Sequence, residues 1–357
     1  MTLRDFSLRI AFTIGALIVS LLFTSWLITL IGEEPLKVFE YTWDGAFKNT
    51  NNTAKVFNFF IPLALASVGL VVTFTAGLWN IGVEGQMVMG AIFASWGALF
   101  LDFLPQLLLI PACIILSAIG GMLWALLAGV LKTRFGVHEI FGGVALNALA
   151  ASITVHMISG PWQPAEGGSM HSSEEFLPVA HLPTISADFQ VSALMLVIVL
   201  VSFLTLGFSL RSTRWGLALK ATGKNARSAL LMGVHTERIS LSAFATCGAL
   251  AGIGGSYRVL HTYHSLRPMI GGGIGFLGLL VVLLVAFNVI LVPLIAFALS
   301  AMYAGSDRVH MLLHIDQSLV GVFQGVIVLT ILLSNGIQER FRFRKRTNAT
   351  NGEEQTS

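Results

Sequence analysis

The apolar residues of this chain arrive in unbroken runs of roughly 20, the length a helix needs to cross about 30 Å of hydrocarbon, and no other feature constrains the fold as much. Candidate spans fall near 10–31, 56–78, 86–104, 107–131, 138–159, 191–210, 239–260, 273–287, 289–305 and 318–335. Backbone N–H and C=O groups in lipid must be satisfied within the segment, and these runs are too long and too uniformly apolar for barrel strands. The expectation is therefore an all-α fold, a polytopic transmembrane helical bundle of about ten helices. Composition agrees: 55% of the 357 residues are hydrophobic and 11% charged, where a soluble domain carries about 25% charged residues. A water-soluble enzyme is excluded on that ground.

Two places break the pattern. The stretch 56–104 is too long for one span, so the run Gly77-Leu78-Trp79-Asn80-Ile81-Gly82 must interrupt it. A single helix over 273–305 would reach about 50 Å and would carry the basic tail to the opposite face. Two short, irregular segments are expected there instead.

Charge sets the orientation. With the N-terminus in the cytoplasm, 15 of the 21 Lys and Arg lie inside, including six between Arg211 and Arg238 and five between Arg340 and Arg346. The outer loop 160–190 then holds Glu166, Glu174, Glu175 and Asp188 with no Lys or Arg, as the positive-inside rule requires. This divides the chain into a cytoplasmic N-terminus over 1–9, a transmembrane domain over 10–335 and a polar cytoplasmic tail over 336–357. The first run ends at Gly32-Glu33-Glu34 rather than at a small-residue cleavage site, so it reads as a retained span.

Polar chemistry concentrates in two segments. Ala76 to Gln86 places three glycines, Asn80, Glu84 and Gln86 between two apolar runs. Polar backbone at depth is tolerated where protein or a water-filled cavity satisfies it, so a broken helix lining a passage is one reading. A plain cytoplasmic loop with Glu84 capping the next helix is the other. The second segment, Arg211 to Ile239, is basic. Within it, Asn225-Ala226-Arg227-Ser228-Ala229-Leu230-Leu231-Met232-Gly233 has an N-cap, helix formers and a glycine stop, which predicts a short helix along the cytoplasmic surface. Asn147 stands alone in an apolar run, as a group that either bonds a solute or joins two helices.

Together the two segments resemble the permease subunits of ABC importers in the branched-chain amino acid, ribose and nucleoside branch. Nucleoside and simple-sugar permeases are most similar, because they carry a phenylalanine-asparagine-isoleucine-glycine-alanine-glutamate-glycine-glutamine run that stands here as Trp79 to Gln86. Further similarity lies in Lys132 to Ile140, Leu146 to Ala150, Gly160-Pro161 and Gly248 to Gly255. The chain departs from the family at Gly275-Phe276-Leu277-Gly278, where relatives carry an aspartate.

The resemblance implies a permease that moves a nucleoside or related sugar by alternating access. It implies a second permease subunit in a heterodimer, a cytoplasmic ABC ATPase, and an extracytoplasmic substrate-binding lipoprotein, all at a bacterial inner membrane with both termini cytoplasmic. Asn80, Glu84, Gln86 and Asn147 would border the substrate passage; Gly223, Asn225, Arg227 and Gly233 would form the element that engages the ATPase. The chain has no G-x-x-x-x-G-K-[ST] run, so ATP is expected on the partner subunits and no cofactor or catalytic residue on this one. Alternatives are a carrier or channel driven by an ion gradient, which needs an intramembrane relay for which only Glu84 qualifies, and a ribose-like sugar or branched-chain amino acid as solute. Asp307, His310, His314 and Asp316 suit solvated positions on an interfacial helix better than a metal site, and no metal is expected. Cys113 and Cys247 read as small buried hydrophobes.

Overall fold

The computed structural model describes residues 18–164 and 171–313 and a few positions between 321 and 333. All regular structure among the described residues is helical. The chain divides into two compact units, one made of residues up to Lys48 with those from Ala301 onward, the other of Asn49–Ser300.

In the first unit, α1 (Ile18–Leu30) and α2 (Pro35–Phe47) meet at a bend of 107°. Gly32 turns with φ +93° and Pro35 starts the new helix, where its missing N–H costs nothing. The sequence reading left 32–55 as a connection, because α2 is only 13 residues long and falls below a spanning run. Ile28, Val38 and Val309 form its small core, and a Cβ on Gly45 would strike the Gly305 carbonyl while one on Gly305 would strike that of Thr42.

The larger unit holds α3 (Thr50–Thr75), α4 (Val83–Phe100), α5 (Gln106–Phe135), α6 (Glu139–Ser159), α7 (Ala193–Ser212), α8 (Arg214–Lys224), α9 (Ala226–Leu231), α10 (Thr236–Tyr257, continued by a π turn over Arg258–Tyr263) and α11 (Ile274–Leu284). It also holds the start of α12 (Val292–Leu313). Helix α10 packs against α3, α4 and α5. The apolar window of α3 is 89% buried and that of α7 only 22%, so α3 is core and α7 turns most of its surface to lipid. Close approach at the centre depends on missing side chains: a Cβ on Gly90 would strike Gly252, and Gly121 and Gly248 exclude one another's in the same way.

Seven described helices are long and apolar enough to cross a membrane, besides the bent pair α1 and α2. The expected span at 318–335 lies largely outside the described residues. The expected division of 273–305 is present: α11 stops at Leu284, Ala286 and Phe287 turn with positive φ, and α12 starts at Val292 after a 3-10 turn. With 11 residues, α11 is about 16 Å long and reaches only part-way across.

The two ends of the larger unit differ in charge. Lys132, Arg134, Arg211, Arg214, Lys220, Lys224 and Arg227 share one end with the helix break, where Lys132 pairs with Glu139 and Arg134 with Glu237 at 3.0 Å. The other end carries the loop after α6, whose backbone runs along the π turn through Leu182 N–H to Leu260 O (3.1 Å), Phe176 N–H to His264 O (2.8 Å) and Ser173 N–H to Leu266 O (2.8 Å). Tyr257 donates to Asn58 at 2.6 Å there, and Asn58 donates to the Gln190 carbonyl.

Candidate functional site: the broken helix and the half-helix beside it

The break between α3 and α4 is short, and its polar groups are held within the protein. Gly77 has φ +74°, which turns the chain after Thr75, and the polypeptide re-enters a helix at Val83. Asn80 and Gln86 are 1% and 0% exposed. Their side-chain amides pair reciprocally, Gln86 Nε2 donating to Asn80 Oδ1 at 2.8 Å and Asn80 Nδ2 to Gln86 Oε1 at 3.1 Å. The second hydrogen of Asn80 Nδ2 points to Cys247 Sγ on α10, at 3.1 Å. Buried amides of this kind would each cost about 1–3 kcal/mol if left unpaired. Here they fix the loop in one shape.

Asn147 performs a similar task from α6. Its Oδ1 accepts from Gly85 N–H at 2.8 Å and its Nδ2 donates to Ile81 O at 3.0 Å, so one side chain satisfies a C=O of the break and an N–H of the first turn of α4. Gly82 and Gly143 permit this approach, each lying where the other's Cβ would be. These contacts join α6 to the break and to α4. Glu139, the first residue of α6, pairs with Lys132.

Glu84 does something the sequence reading did not foresee. Instead of capping its own helix, it reaches α11, where Oε1 accepts from Gly273 N–H at 2.9 Å and Oε2 from Gly275 N–H at 2.7 Å. Helix α11 has no acidic residue in its own first turn, so the charge that complements its positive end comes from α4. Gly271 and Gly275 make room: a Cβ on either would fall on the Glu84 carboxylate. Arg258 from the π turn is within electrostatic reach of that carboxylate, donates to Ile270 O at 3.2 Å and to Tyr263 OH at 2.9 Å, and faces the Tyr263 ring. At the other end of α11, Phe287 stacks on Phe74 (5.4 Å), and Phe74 meets Trp79 of the break edge-on (5.0 Å).

The expected surface helix is present as α9. Asn225 is its N-cap, accepting from Ser228 N–H at 2.9 Å, and Gly233 turns away with φ +85°. Leu230, Leu231 and Met232 stand 59%, 84% and 84% exposed, beside the exposed Arg227. The sequence reading missed α8, which precedes it; Thr213 caps α8 by accepting from Gly216 N–H, and Trp215 ties it to Ser242 of α10 at 2.9 Å. Gly223 packs its backbone on Thr75, Ala76 and Gly77 so closely that a Cβ would strike the Thr75 carbonyl. The surface helices therefore bear directly on the break.

Sequence reasoning also passed over Cys247, Arg258 and the run Gly271 to Gly275. The clue was in that run, where four of five residues lack a side chain. Among the described residues no group of three or more His, Cys, Asp or Glu could hold a metal. Asp307 and His310 lie on α12, while His314 and Asp316 fall outside the described residues.

Three relatives share the chain over most of its length. A glucose ABC transporter permease protein of Haloferax volcanii is 26% identical over 286 residues, covering 77% of this chain and 74% of its own. A guanosine ABC transporter permease protein of Bacillus subtilis is 26% identical over 299 residues, covering 83% and 85%. A nucleoside ABC transporter permease protein of Lactococcus lactis is 23% identical over 280 residues, covering 75% and 76%. The pattern of one protein family matches residues 52–332, which takes in the break, α8 and α9, and the half-helix. The chain belongs to the family described as the branched-chain amino acid transport system permease component.

Proposed function

We propose that this chain is the translocation subunit of an ATP-driven importer for nucleosides or related sugars. A permease component works beside an ATPase and a substrate-binding partner; the finer reading adds a second, different permease subunit that completes the passage and a lipoprotein that delivers the solute. Relatives named for guanosine, nucleosides and glucose, together with the Trp79 to Gln86 run, favour those solutes over a branched-chain amino acid. Their naming as ABC permeases favours ATP over an ion gradient as the driving force.

The observation that carries the mechanism is the contact of Gly223 with Thr75 to Gly77. In this reading α9 presents Arg227 and its apolar tip to a groove of the ATPase, with Asn225 and Gly233 setting its two ends. When the ATPase closes, α8 and α9 move as a short lever, and the push reaches the foot of α3 with no intervening loop. Asn80, Gln86, Asn147 and Glu84 hold the shape of the broken helix along the passage. ATP and its hydrolysis belong to the partner, and this subunit contributes no catalytic group. In this reading the basic end is the cytoplasmic one, as the positive-inside rule favours, and both termini face the cytoplasm at a bacterial inner membrane.

The test is reconstitution of the chain with its ATPase, its second permease and its binding protein in vesicles. Uptake of guanosine that requires ATP, and that disappears when Leu231→Asp and Met232→Asp are introduced together, supports the reading. ATP-independent uptake by this chain alone overturns it.

A further inference from the structure

Helix α11 is a half-helix under constraint. Among the described residues, the four non-glycine residues with positive φ are His264, Met269, Ala286 and Phe287, and all four lie in the connections immediately before and after it. Left-handed backbone at such residues is unfavourable and persists where surrounding contacts over-determine it. The contact at the amino end is the one with Glu84, where two carboxylate oxygens meet two N–H donors of the first turn, Gly273 and Gly275, at 2.9 and 2.7 Å. Both oxygens accept, which is the geometry of a carboxylate rather than of a carboxylic acid, since the hydroxyl of the acid is a poor acceptor. Glycines at 271 and 275 keep the space for it.

We propose that Glu84 is a positioning residue: its carboxylate clasps the amino end of α11 to the foot of α4, so that the half-helix follows the broken helix when the passage switches. The inference rests on the reading of the chain as an importer's permease. The clasp joins the start of α4, where the chain re-enters a helix after the break, to the start of the half-helix α11. Motion delivered through Gly223 to the break reaches α4 by the Asn147 and Asn80 contacts, and Glu84 is the hydrogen-bonded link that carries it on to α11. Without that link, α11 keeps its packing along α3 and the aromatic contact at its far end, while its amino end loses both hydrogen bonds to α4.

The experiment compares wild type, E84A, E84Q and G275A in the assembled transporter, reading ATP-driven guanosine uptake and, separately, the thermal midpoint of the complex. Losing two charge-assisted hydrogen bonds is expected to lower maximal uptake by about 10-fold or more, with the half-saturating concentration nearly unchanged. Sodium formate at tens of millimolar is expected to restore part of the uptake and the thermal midpoint of E84A, and sodium chloride is not, because formate is the carboxylate alone. G275A puts a methyl group in the carboxylate's place and is expected to show the loss without the rescue. If E84A does not accumulate, E84Q serves, with a loss expected because its amide nitrogen opposes one N–H donor. Uptake by E84Q within about 2-fold of wild type, or an E84A whose uptake and thermal midpoint ignore formate, overturns the clasp. If wild type takes up no guanosine, the solute reading fails, while the formate effect on the midpoint still decides the clasp.

Discussion

Where α4, α5 and α10 cross, four glycines set backbone against backbone, and about two turns back along α4 the backbone is broken and held by side-chain hydrogen bonds. The first region has many shallow contacts, and its buried Ser117 hydroxyl bonds only back to Ile114 O of its own helix. The second has few contacts, each directional, each between a named donor and acceptor. Packing of the first kind resists any rearrangement, because interiors at crystal density have no intermediate arrangement to slide into. Hydrogen bonds of the second kind can be exchanged for others at small net cost. The difference separates a rigid body from a joint within one continuous run of chain.

The largest effect is expected where the contrast is sharpest. Gly252→Val puts a branched side chain against Ser117 O and the Gly121 backbone, both backbone atoms of α5 that cannot turn aside. The expected cost is above about 3 kcal/mol, with loss of folded protein on detergent extraction, read by size-exclusion of a fluorescent fusion. If Gly252→Val folds and transports, the crossing is not a rigid body. Asn147→Leu comes next. It orphans Gly85 N–H and Ile81 O together, for a cost of about 2 kcal/mol, and it should spare folding while lowering ATP-coupled uptake.

The amide pair sharpens the comparison further. Asn80→Leu leaves Gln86 buried without its partner, and Gln86→Met leaves Asn80 in the same condition with only Cys247 remaining. Replacing both removes the orphaned groups. The double variant is therefore expected to be less unstable than the two single effects added together, by about 1 kcal/mol, in a double-mutant cycle followed by thermal unfolding. Strict additivity would mean that the pair is not formed.

How much of this is legible in the sequence follows from the same contrast. Uninterrupted apolar runs announce helices, because the lipid leaves no other way to satisfy the backbone, and the break at Gly77 to Gly82 is visible as polar cost with no local reason. Asn225 and Gly233 declare both ends of α9 through local chemistry alone. The partner of Glu84 could not be read in that way. It sits about 190 residues further on, in a segment whose shape depends on turns at Met269 and Gly273, and nothing near Glu84 in sequence records it. Cys247 is similar: as a small buried hydrophobe it was placed correctly, and its part as an acceptor for Asn80 depends on how α3 and α10 cross. Helix α2 escaped notice because a 13-residue amphipathic piece does not stand out beside runs of 20.

Asn225→Ala is a smaller test, confined to the lever. Loss of the cap that receives Ser228 N–H is expected to cost about 1 kcal/mol, seen as faster amide exchange over 226–231 with the rest of the chain unchanged.

The smallest effect belongs to the end of the larger unit opposite the break, and it asks whether that end behaves as joint or as body. His264 and His181 stack with ring centroids 3.8 Å apart, between the loop after α6 and the turn that leads to α11. Burial holds the His264 imidazole below its ordinary value of 6.5; the nearby His181 and His261 act in the same direction, and Glu175 opposes them. Above about pH 6.5 the imidazole is neutral in both folded and unfolded chain, so it adds no pH dependence. As the pH falls below that value the unfolded chain takes the proton first, and the folded state loses stability until the folded-state value is passed, after which the loss levels off. A thermal midpoint that declines on acidification from pH 7 to 5, with a slope reduced in His264→Gln, is the expected result. A rigid end would transmit the loss to the whole unit. If instead acid releases only residues 171–182, seen as faster amide exchange there with an unchanged midpoint, the backbone ladder to Leu260, His264 and Leu266 is a second joint, held like the first by hydrogen bonds rather than by packing.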